Sequence, residues 1–574
     1  MSKTKEIDPI LTKLMSPGAP FEVVEKTHSG RSLRVFSQSP ESVCAIFNAA
    51  RTHGDKEFII HNDARITYTE FFRRADALSA WLVTEKELLK GQSVAINMKN
   101  CPEWMIAYVG IVQAGGVAVL INSRNDTESM MAALKDSDTV FVIADEKRLM
   151  KLRDAGCDLP ALVSAPDSQF ASDKNSTLFV SALNHTPMTT PVNLMQTDNA
   201  SMLFTSGTTG RAKAAILSHL NVISSVMNTK MAMETIIHRL ADQYETAVEV
   251  IKEHMPPPCG LLIYPLFHVS GLTSVFLTNM TIGGKIVVMD RWDAKQALAL
   301  VEKEKITALS GVPATHWDML NAIKETDYDL SSLNSVSNGG QAATQNLLKN
   351  ISETYPNAQL GAGYGMTETT GAVSQANGEA FMRAPQSAGL VLPMVDIKII
   401  GDDGNETPLG EAGEICIRGA TVMQGYYNRP EDTAKVMKDG WMHTGDVGYL
   451  DEEGYLYIVD RKTDMIISGG ENIYCAEIEQ TLGQHEAIKE IAAFGVHDDR
   501  LGEKLIVALS LNMPTETEQL DTYAREKLAD YKVPHAYIIT DEFKSMLNPG
   551  DIGGKFAACG FQYAFIVRIL LFTQ

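Results

Sequence analysis

The sequence predicts an α/β protein: a large N-terminal domain of layered α/β sheets with a β-rich portion, followed by a small α+β C-terminal domain. Three observations lead there. Ser93 to Ser123 reads as strand, helix, strand, a βαβ unit that implies a parallel sheet. Short apolar runs alternate with helical patterns up to about residue 385, then give way to strands split by turn-rich segments. A polar break at Lys462 to Asp464 leaves roughly 110 residues, an ordinary small-domain size.

Taken in chain order, Thr67 to Glu70 (TYTE) has the form of a capping box. Phe71, Ala75, Leu78 and Leu82 then recur at helical spacing, so a helix starts there. In SVAINMKNCPEWMIAYVGIVQAGGVAVLINS, Gly115 and Gly116 end the helix before an apolar Val/Leu/Ile run. Further strands are expected at Thr139 to Ala144, Gly260 to Tyr264, Lys285 to Met289 and Ala308 to Gly311. Later, Val395 to Ile400 and Gly413 to Gly419 read as strands split by GDDGNETPLGEAG. The stretch DEEGYLYIVDRKTDMIISGGENIY then supplies a hairpin turn, an apolar strand, the polar break, another apolar run and a glycine pair. No fixed-period repeat is visible. The resulting division is 1–461, a connection at 462–464, and 465–574.

At 574 residues the chain is too long for one core. With 71 acidic against 50 basic residues, the formal charge of -21 repels polyanions, so no nucleic-acid partner is expected. A phosphate ligand would need local backbone donors, a metal or a few placed cations. The 7 cysteines are scattered and never form CxxC, which argues against a disulfide framework or a zinc site and for a reducing, cytoplasmic setting. The N-terminus lacks the apolar stretch of a secretory signal. Cys259 to Gly284 has no charged side chain, but Pro265, His268, Asn279 and a glycine pair interrupt it, so no integral membrane span is expected.

The most informative stretch is LFTSGTTGRAKAAILSH, Leu203 to His219. Thr205, Ser206, Thr208 and Thr209 supply hydroxyls, Gly207 and Gly210 let the backbone approach an anion, and Lys213 adds a cation. That chemistry suits a triphosphate. The loop is not a Walker A motif, because no GK[ST] occurs there. Alone, it would read sooner as a Gly/Thr-rich surface turn.

This segment resembles the phosphate-binding signature of the adenylate-forming superfamily of acyl-CoA synthetases, adenylation domains and luciferases. PLFHVSGL (Pro265 to Leu272), GYGMTETT (Gly363 to Thr370), GWMHTGDVGYLDEEGYLYIVDRKTDMIISGGENIY (Gly440 to Tyr474) and a weaker GGK (Gly553 to Lys555) match the same superfamily in order. The resemblance implies that Thr367 bonds phosphate and that Glu368 holds Mg²⁺, an oxygen ligand suited to a hard cation. It implies that Asp446, a loop aspartate, accepts from the ribose hydroxyls, that Arg461 contacts ribose and phosphates, and that Gly339, Gly340, Gln341 and Tyr364 wall the adenine. The acyl tail is expected beside His268, Gly311 to Pro313 and Gly361 to Gly365, although His268 reads equally as a core histidine. Gly469 and Gly470 are expected to line the CoA pantetheine tunnel, and Lys555 to contact the carboxylate and α-phosphate. The implied activity is an AMP-forming acid–thiol ligase for a fatty or aryl carboxylic acid, as in fatty-acid and coumarate-type CoA ligases, with a medium- or long-chain fatty acid preferred, using ATP, Mg²⁺ and CoA. Its small, mobile C-terminal domain is expected to rotate about 462–464 between half-reactions.

The chain departs from that pattern in places. The stretch after Leu547 reads NPGDIGGKFAACGF, with Asp551 intruding and no basic residues directly after the GK. Thr463 and Cys475 stand where Lys or Asp, and Pro, are usual. The segment Thr229 to Pro258 is long for its place, and either caps the acyl pocket or mediates homodimer contact. Two other readings stand beside the ligase: an acyl-AMP ligase that loads a carrier protein, and a nucleotide-binding protein with an impaired C-terminal domain.

Overall fold

The computed structural model describes residues 8–28, 30–165, 168–187, 192–205, 212–339, 343–461, 465–468, 471–498 and 500–540. The expected βαβ unit is strand Ser93–Asn97, helix Pro102–Gln113 and strand Val117–Leu120, with the strands parallel. Pro102 opens the helix, where its missing N–H costs nothing. Both faces of these strands are covered. Val94 and Ile96 point into one core, while Ala95, Val117 and Val119 point into another, which is why the runs are continuously apolar rather than alternating. The Thr67 hydroxyl accepts from the Glu70 N–H at 3.2 Å and caps the expected helix, Tyr68–Thr84.

Two large sheets follow from this logic. One runs, in spatial order, Gly425–Tyr426, Lys213–Ser218, Asn199–Thr205, Val117–Leu120, Ser93–Asn97, Thr139–Asp145, Ala161–Ser164 and Ser176–Leu178. The other runs Leu390–Val391, Gly371–Asn377, Gln359–Met366, Ser335–Asn338, Ala308–Gly311, Cys259–Leu262, Lys285–Val288, Glu57–His61 and Ala64–Thr67. A shared core joins them. Ile96, Leu120 and Leu203 of the first and Leu262, Ile286 and Phe58 of the second bury against residues of Val43–Ala50, Tyr68–Thr84, Pro102–Gln113 and His219–Gln243. On the second sheet's other face, Leu261, Leu309 and Val336 pack against Leu298, Trp317 and Leu347.

The strands Cys259–Leu262, Ala308–Gly311, Ser335–Asn338 and Gln359–Met366 are parallel neighbours, so their carboxyl ends lie along one edge. That edge is where open α/β sheets bind ligands. It is tied together by the Tyr264 hydroxyl donating to the Gly311 carbonyl at 2.8 Å and the Gly339 N–H donating to the same carbonyl at 3.0 Å.

The β-rich portion is an antiparallel sheet of Val395–Ile400, Gly413–Gly419, Trp441–Leu450, Met437–Lys438 and Leu456–Arg461. Its first two strands have the expected bounds. Beyond it, strands Ile466–Ser468, Glu471–Ile473, Ile488–Asp498, Gly502–Leu511 and Ala536–Ile539 pack on helices Cys475–Leu482 and Thr517–Lys527 around a separate core.

The long segment from Thr229 is mostly helix. His219–Gln243 is continuous over 25 residues, and a short helix Val248–His254 follows. Met231 packs with Leu14, Phe21, Phe36 and Met394, and Arg239 pairs with Asp8, so the N-terminal residues cover part of it. The uncharged stretch from Cys259 breaks into a strand, a turn, the π-helical Ser270–Leu277 and the helix Thr278–Ile282. Among the described residues, no helix is long and apolar enough to cross a membrane.

Candidate active site

Strand Gln359–Met366 ends in the turn Thr367–Thr369, then reverses through Thr370 (φ 54°) and Gly371 (φ 105°) into the antiparallel strand Gly371–Asn377. The Thr369 hydroxyl anchors the turn, donating to the Gly371 carbonyl at 2.7 Å and accepting from the Met366 N–H at 3.0 Å. A Cβ at Gly365 would lie 2.0 Å from the Gly371 carbonyl oxygen, and one at Gly361 would lie 2.1 Å from Asn377 Oδ1. Strand packing therefore demands glycine at 365, where the obstacle is backbone, while a side chain at 361 would displace the Asn377 amide; the acyl-site reading contained neither reason.

This hairpin carries Tyr364, Thr367 and Glu368. The Glu368 carbonyl accepts from the Met423 N–H at 2.8 Å, and the next residue, Gln424, donates its N–H to the Ile216 carbonyl at 2.9 Å. Glu368 thus sits where the two large sheets meet. Its Oε1 accepts from the Tyr426 hydroxyl at 2.8 Å. Desolvation pushes the Glu368 carboxyl above the usual carboxylate range; Tyr426 and the charge of Arg461 pull it back, and Asp446 pushes it further.

Asp446 is buried, with 4% of its surface exposed. One carboxylate oxygen accepts from the Tyr364 hydroxyl at 2.5 Å, and the other forms an ion pair with Arg461, 3.1 Å from its Nε. Burial and then the Asp446 charge push the Tyr364 phenol well above its ordinary value. Asp446 is not on a loop as expected. It lies within strand Trp441–Leu450, paired directly with Arg461, and on the strand's other side the pairing passes from Glu414–Val447 to Cys416–His443, so Thr444, Gly445 and Asp446 stand opposite Ile415 in a bulge.

Thr205 and Lys213 face each other at the neck of the hairpin Asn199–Thr205/Lys213–Ser218. Lys213 Nζ lies 3.2 Å from Asp432 Oδ1 and 5.3 Å above the Tyr426 ring, so this lysine reaches the tyrosine that holds Glu368. Ser206, Gly207, Thr208, Thr209, Gly210, Gly340, Gln341, the 462–464 connection, Gly469, Gly470 and Lys555 lie outside the described residues.

His268 is partly buried with its ring 4.5 Å from that of Phe267. Burial, aided by the charge of Arg124, pushes its pKa down to about 4, leaving a neutral imidazole at neutral pH. Gly311 and Gly339 lie on the same strand-end edge, joined through the Gly311 carbonyl. Tyr426, Asp432 and Tyr264 were missed in the sequence. Their signal was the unused segment VMQGYYNRPED, an aromatic pair between glycine and proline, and the tyrosine ahead of PLFH.

A hydroxyl-rich loop with a lysine, a desolvated carboxylate and a buried aspartate bridged to an arginine can hold a sugar diol and phosphate charge at once. Fold and site together define a nucleotide-handling enzyme with its ligand edge at the strand ends of layered α/β sheets. The chain belongs to the AMP-binding enzyme family, whose profile matches residues 46–427, with the AMP-binding enzyme C-terminal domain matching 477–546. It is an AMP-forming acyl-CoA synthetase, an acid–thiol ligase that joins a carboxylic acid to CoA through an acyl adenylate at the expense of ATP.

The chain is similar to the long-chain-fatty-acid–CoA ligase of Bacillus subtilis (strain 168), 33% identical over 536 residues, which is 88% of this chain and 91% of that protein. It is 31% identical over 483 residues to the feruloyl-CoA synthase of Amycolatopsis sp, covering 84% and 91%. Among solved structures, O-succinylbenzoate coenzyme A synthetase from Bacillus subtilis, in complex with ATP and magnesium ion, superposes with a TM-score of 0.70 at 27% identity, over 87% of this chain and 95% of that one.

Proposed function

We propose that the carboxylic acid is a medium- or long-chain fatty acid and that Tyr364, Thr367, Glu368, Asp446, Arg461, Thr205 and Lys213 hold MgATP for its adenylation. The observation that carries this reading is the convergence of Tyr364, Glu368, Asp446 and Arg461 at the seam of the two sheets. The likeness to a long-chain-fatty-acid–CoA ligase supports the acid's class.

In the first half-reaction the acid's carboxylate oxygen attacks the α-phosphorus of ATP and pyrophosphate leaves. In the second the CoA thiol attacks the acyl carbon and AMP leaves. Asp446 supplies two acceptor oxygens for the ribose diol, now engaged by Tyr364 and Arg461, and Tyr364 offers a flat wall for the base. Glu368 fits a magnesium ligand, because a desolvated carboxylate regains in a bound cation what it loses from water. Magnesium bound there would neutralise phosphate charge as the carboxylate approaches. Neutral His268, beside Phe267, borders the acyl group without adding charge. The C-terminal portion turns about 462–464, with Lys555 serving adenylation and Gly469 and Gly470 serving CoA.

The test is pyrophosphate release across acids from acetate through long-chain fatty acids to hydroxycinnamates, with and without CoA. Turnover should peak on medium- or long-chain acids and require CoA for completion. A peak on hydroxycinnamates removes the fatty-acid assignment. Pyrophosphate release that free CoA never completes points to a carrier-protein acceptor, and no release with any acid returns the chain to a nucleotide-binding role.

A further inference from the structure

Away from the nucleotide cluster, the β-rich sheet holds a second group of chemistry-bearing side chains. Strand Gly413–Gly419 carries Glu414 and Cys416, and its antiparallel neighbour carries His443 opposite Cys416, with a register shift between Glu414 and Cys416. Ile415 and Ile417 point into the sheet's core, so Glu414 and Cys416 share the other face. His443 Nδ1 lies 3.0 Å from Glu414 Oε2 and 3.4 Å from Cys416 Sγ. One ligand atom from each residue falls within 4.8 Å of the other two. Cys416 is fully buried, while the imidazole and carboxylate keep 18% and 13% of their surfaces exposed and open the group to solvent.

We propose that Glu414, Cys416 and His443 bind one borderline-soft divalent cation of the zinc class, and that its binding weakens nucleotide affinity. A thiolate, an imidazole and a carboxylate are the ligand types zinc takes, and three protein ligands leave a fourth position for water. Sulfur disfavours magnesium, which keeps this site chemically separate from Glu368. On binding, the Cys416 thiol proton and any proton on His443 Nδ1 pass to solvent, and the metal takes their places on the thiolate sulfur and the ring nitrogen. The scattered cysteines argued against zinc because spacing rules search within a short segment. Here strand pairing brings together residues 27 positions apart.

Coupling to the nucleotide follows from the backbone between the two groups. Glu414 Oε1 accepts from the Gly445 N–H at 3.2 Å, the Thr444 hydroxyl donates to the Ile415 carbonyl at 2.8 Å, and the Asp446 N–H donates to the Thr444 hydroxyl oxygen at 3.0 Å. A cation seated between Glu414 Oε2 and His443 Nδ1 replaces their direct 3.0 Å contact and spreads the two ligand atoms, which shifts both ends of the path that aims Asp446. This coupling rests on the reading of Asp446 as the ribose acceptor; the metal site does not.

The experiment uses untagged, full-length protein stripped with chelator and titrated with Co²⁺. One equivalent should develop a thiolate-to-cobalt charge-transfer band that Zn²⁺ displaces. Cys416→Ser and His443→Gln should each lose it, and Cys475→Ser should keep it. No band in the unaltered protein, or a band that persists in both site variants, overturns the site, and the unaltered protein decides this even where a variant fails to fold. Calorimetry should then show AMP binding about tenfold weaker with Zn²⁺ bound, and Zn²⁺ binding weaker by the same factor with AMP bound. Equal AMP affinity with and without bound Zn²⁺ overturns the coupling. AMP affinity unchanged in Asp446→Asn removes the ribose reading instead, whatever the cobalt spectrum shows.

Discussion

Tyr426→Phe deletes a single hydroxyl and leaves the rest of its surroundings in place. The ring stays under Lys213, and the backbone keeps its pairing with Ala215. What goes is the 2.8 Å bond to Glu368 Oε1. A hydrogen bond to an ionised group contributes about 1.5–3 kcal/mol, or roughly 10- to 100-fold in favour of that form. Glu368 is only partly buried by surface area, so the lower end applies, about tenfold. Desolvation already raises the Glu368 carboxyl and the Tyr426 hydroxyl lowers it, so removing the hydroxyl raises it again. The ionised, metal-competent fraction then falls at the acid end and recovers as pH rises.

ATP–pyrophosphate exchange measured against pH, at several Mg²⁺ concentrations, should show the acid limb moved to higher pH. Rates there should fall about tenfold, and the deficit should close at alkaline pH. Thioester formation from supplied acyl adenylate should keep its wild-type rate. Superimposable acid limbs would mean that the hydroxyl does not tune Glu368; an equal loss at every pH would mean that Tyr426 acts only on the fold.

Glu368→Gln keeps the shape but removes the charge, so adenylation should drop by roughly 10² or more while thioesterification from acyl adenylate survives; normal exchange in this variant takes Glu368 out of the reaction. Asp446→Asn should weaken AMP binding roughly 10- to 100-fold by calorimetry, the range of a lost charge-assisted bond. Burial pushes His219 down to about 4 from 6.5, with Asp198 opposing and Lys90 adding to the shift, and its Nδ1 must stay bare to accept from the Val43 N–H at 3.2 Å. The unfolded chain therefore takes up a proton between those values that the folded chain refuses. The resulting stability is complete above 6.5 and is lost as pH falls toward 4, by roughly 3 kcal/mol. Urea midpoints across this window should slope less in His219→Gln, and identical slopes would exclude His219 as the acid-sensitive group.

The strands and helices were legible because their causes are local. Continuous apolar runs with both faces covered specify buried parallel strands, as at Ser93–Asn97 and Val117–Leu120, and the Thr67 cap marks a helix start within one turn. The hydroxyls, glycines and lysine of Thr205 to Lys213 suit a phosphate by residue type, but only the resemblance of several ordered motifs set that reading above a surface turn and gave the Tyr364 to Glu368 stretch its expected roles. What no local rule contains is which distant side chain completes each group. Tyr364 meets Asp446 across 82 positions, Glu368 meets Tyr426 across 58, and Cys416 meets His443 across 27. Those partners are chosen by strand order and register. The edge strand Gly425–Tyr426 adds to Lys213–Ser218, and Asp446 pairs with Arg461 on one side while it stands in a bulge opposite Ile415 on the other. Helical and strand periodicities act over a few residues, whereas pairing between strands far apart in the chain is decided by which faces can be buried together. The amino-acid sequence by itself therefore determined the elements and the chemistry on offer, and tertiary packing alone decided which charges face one another.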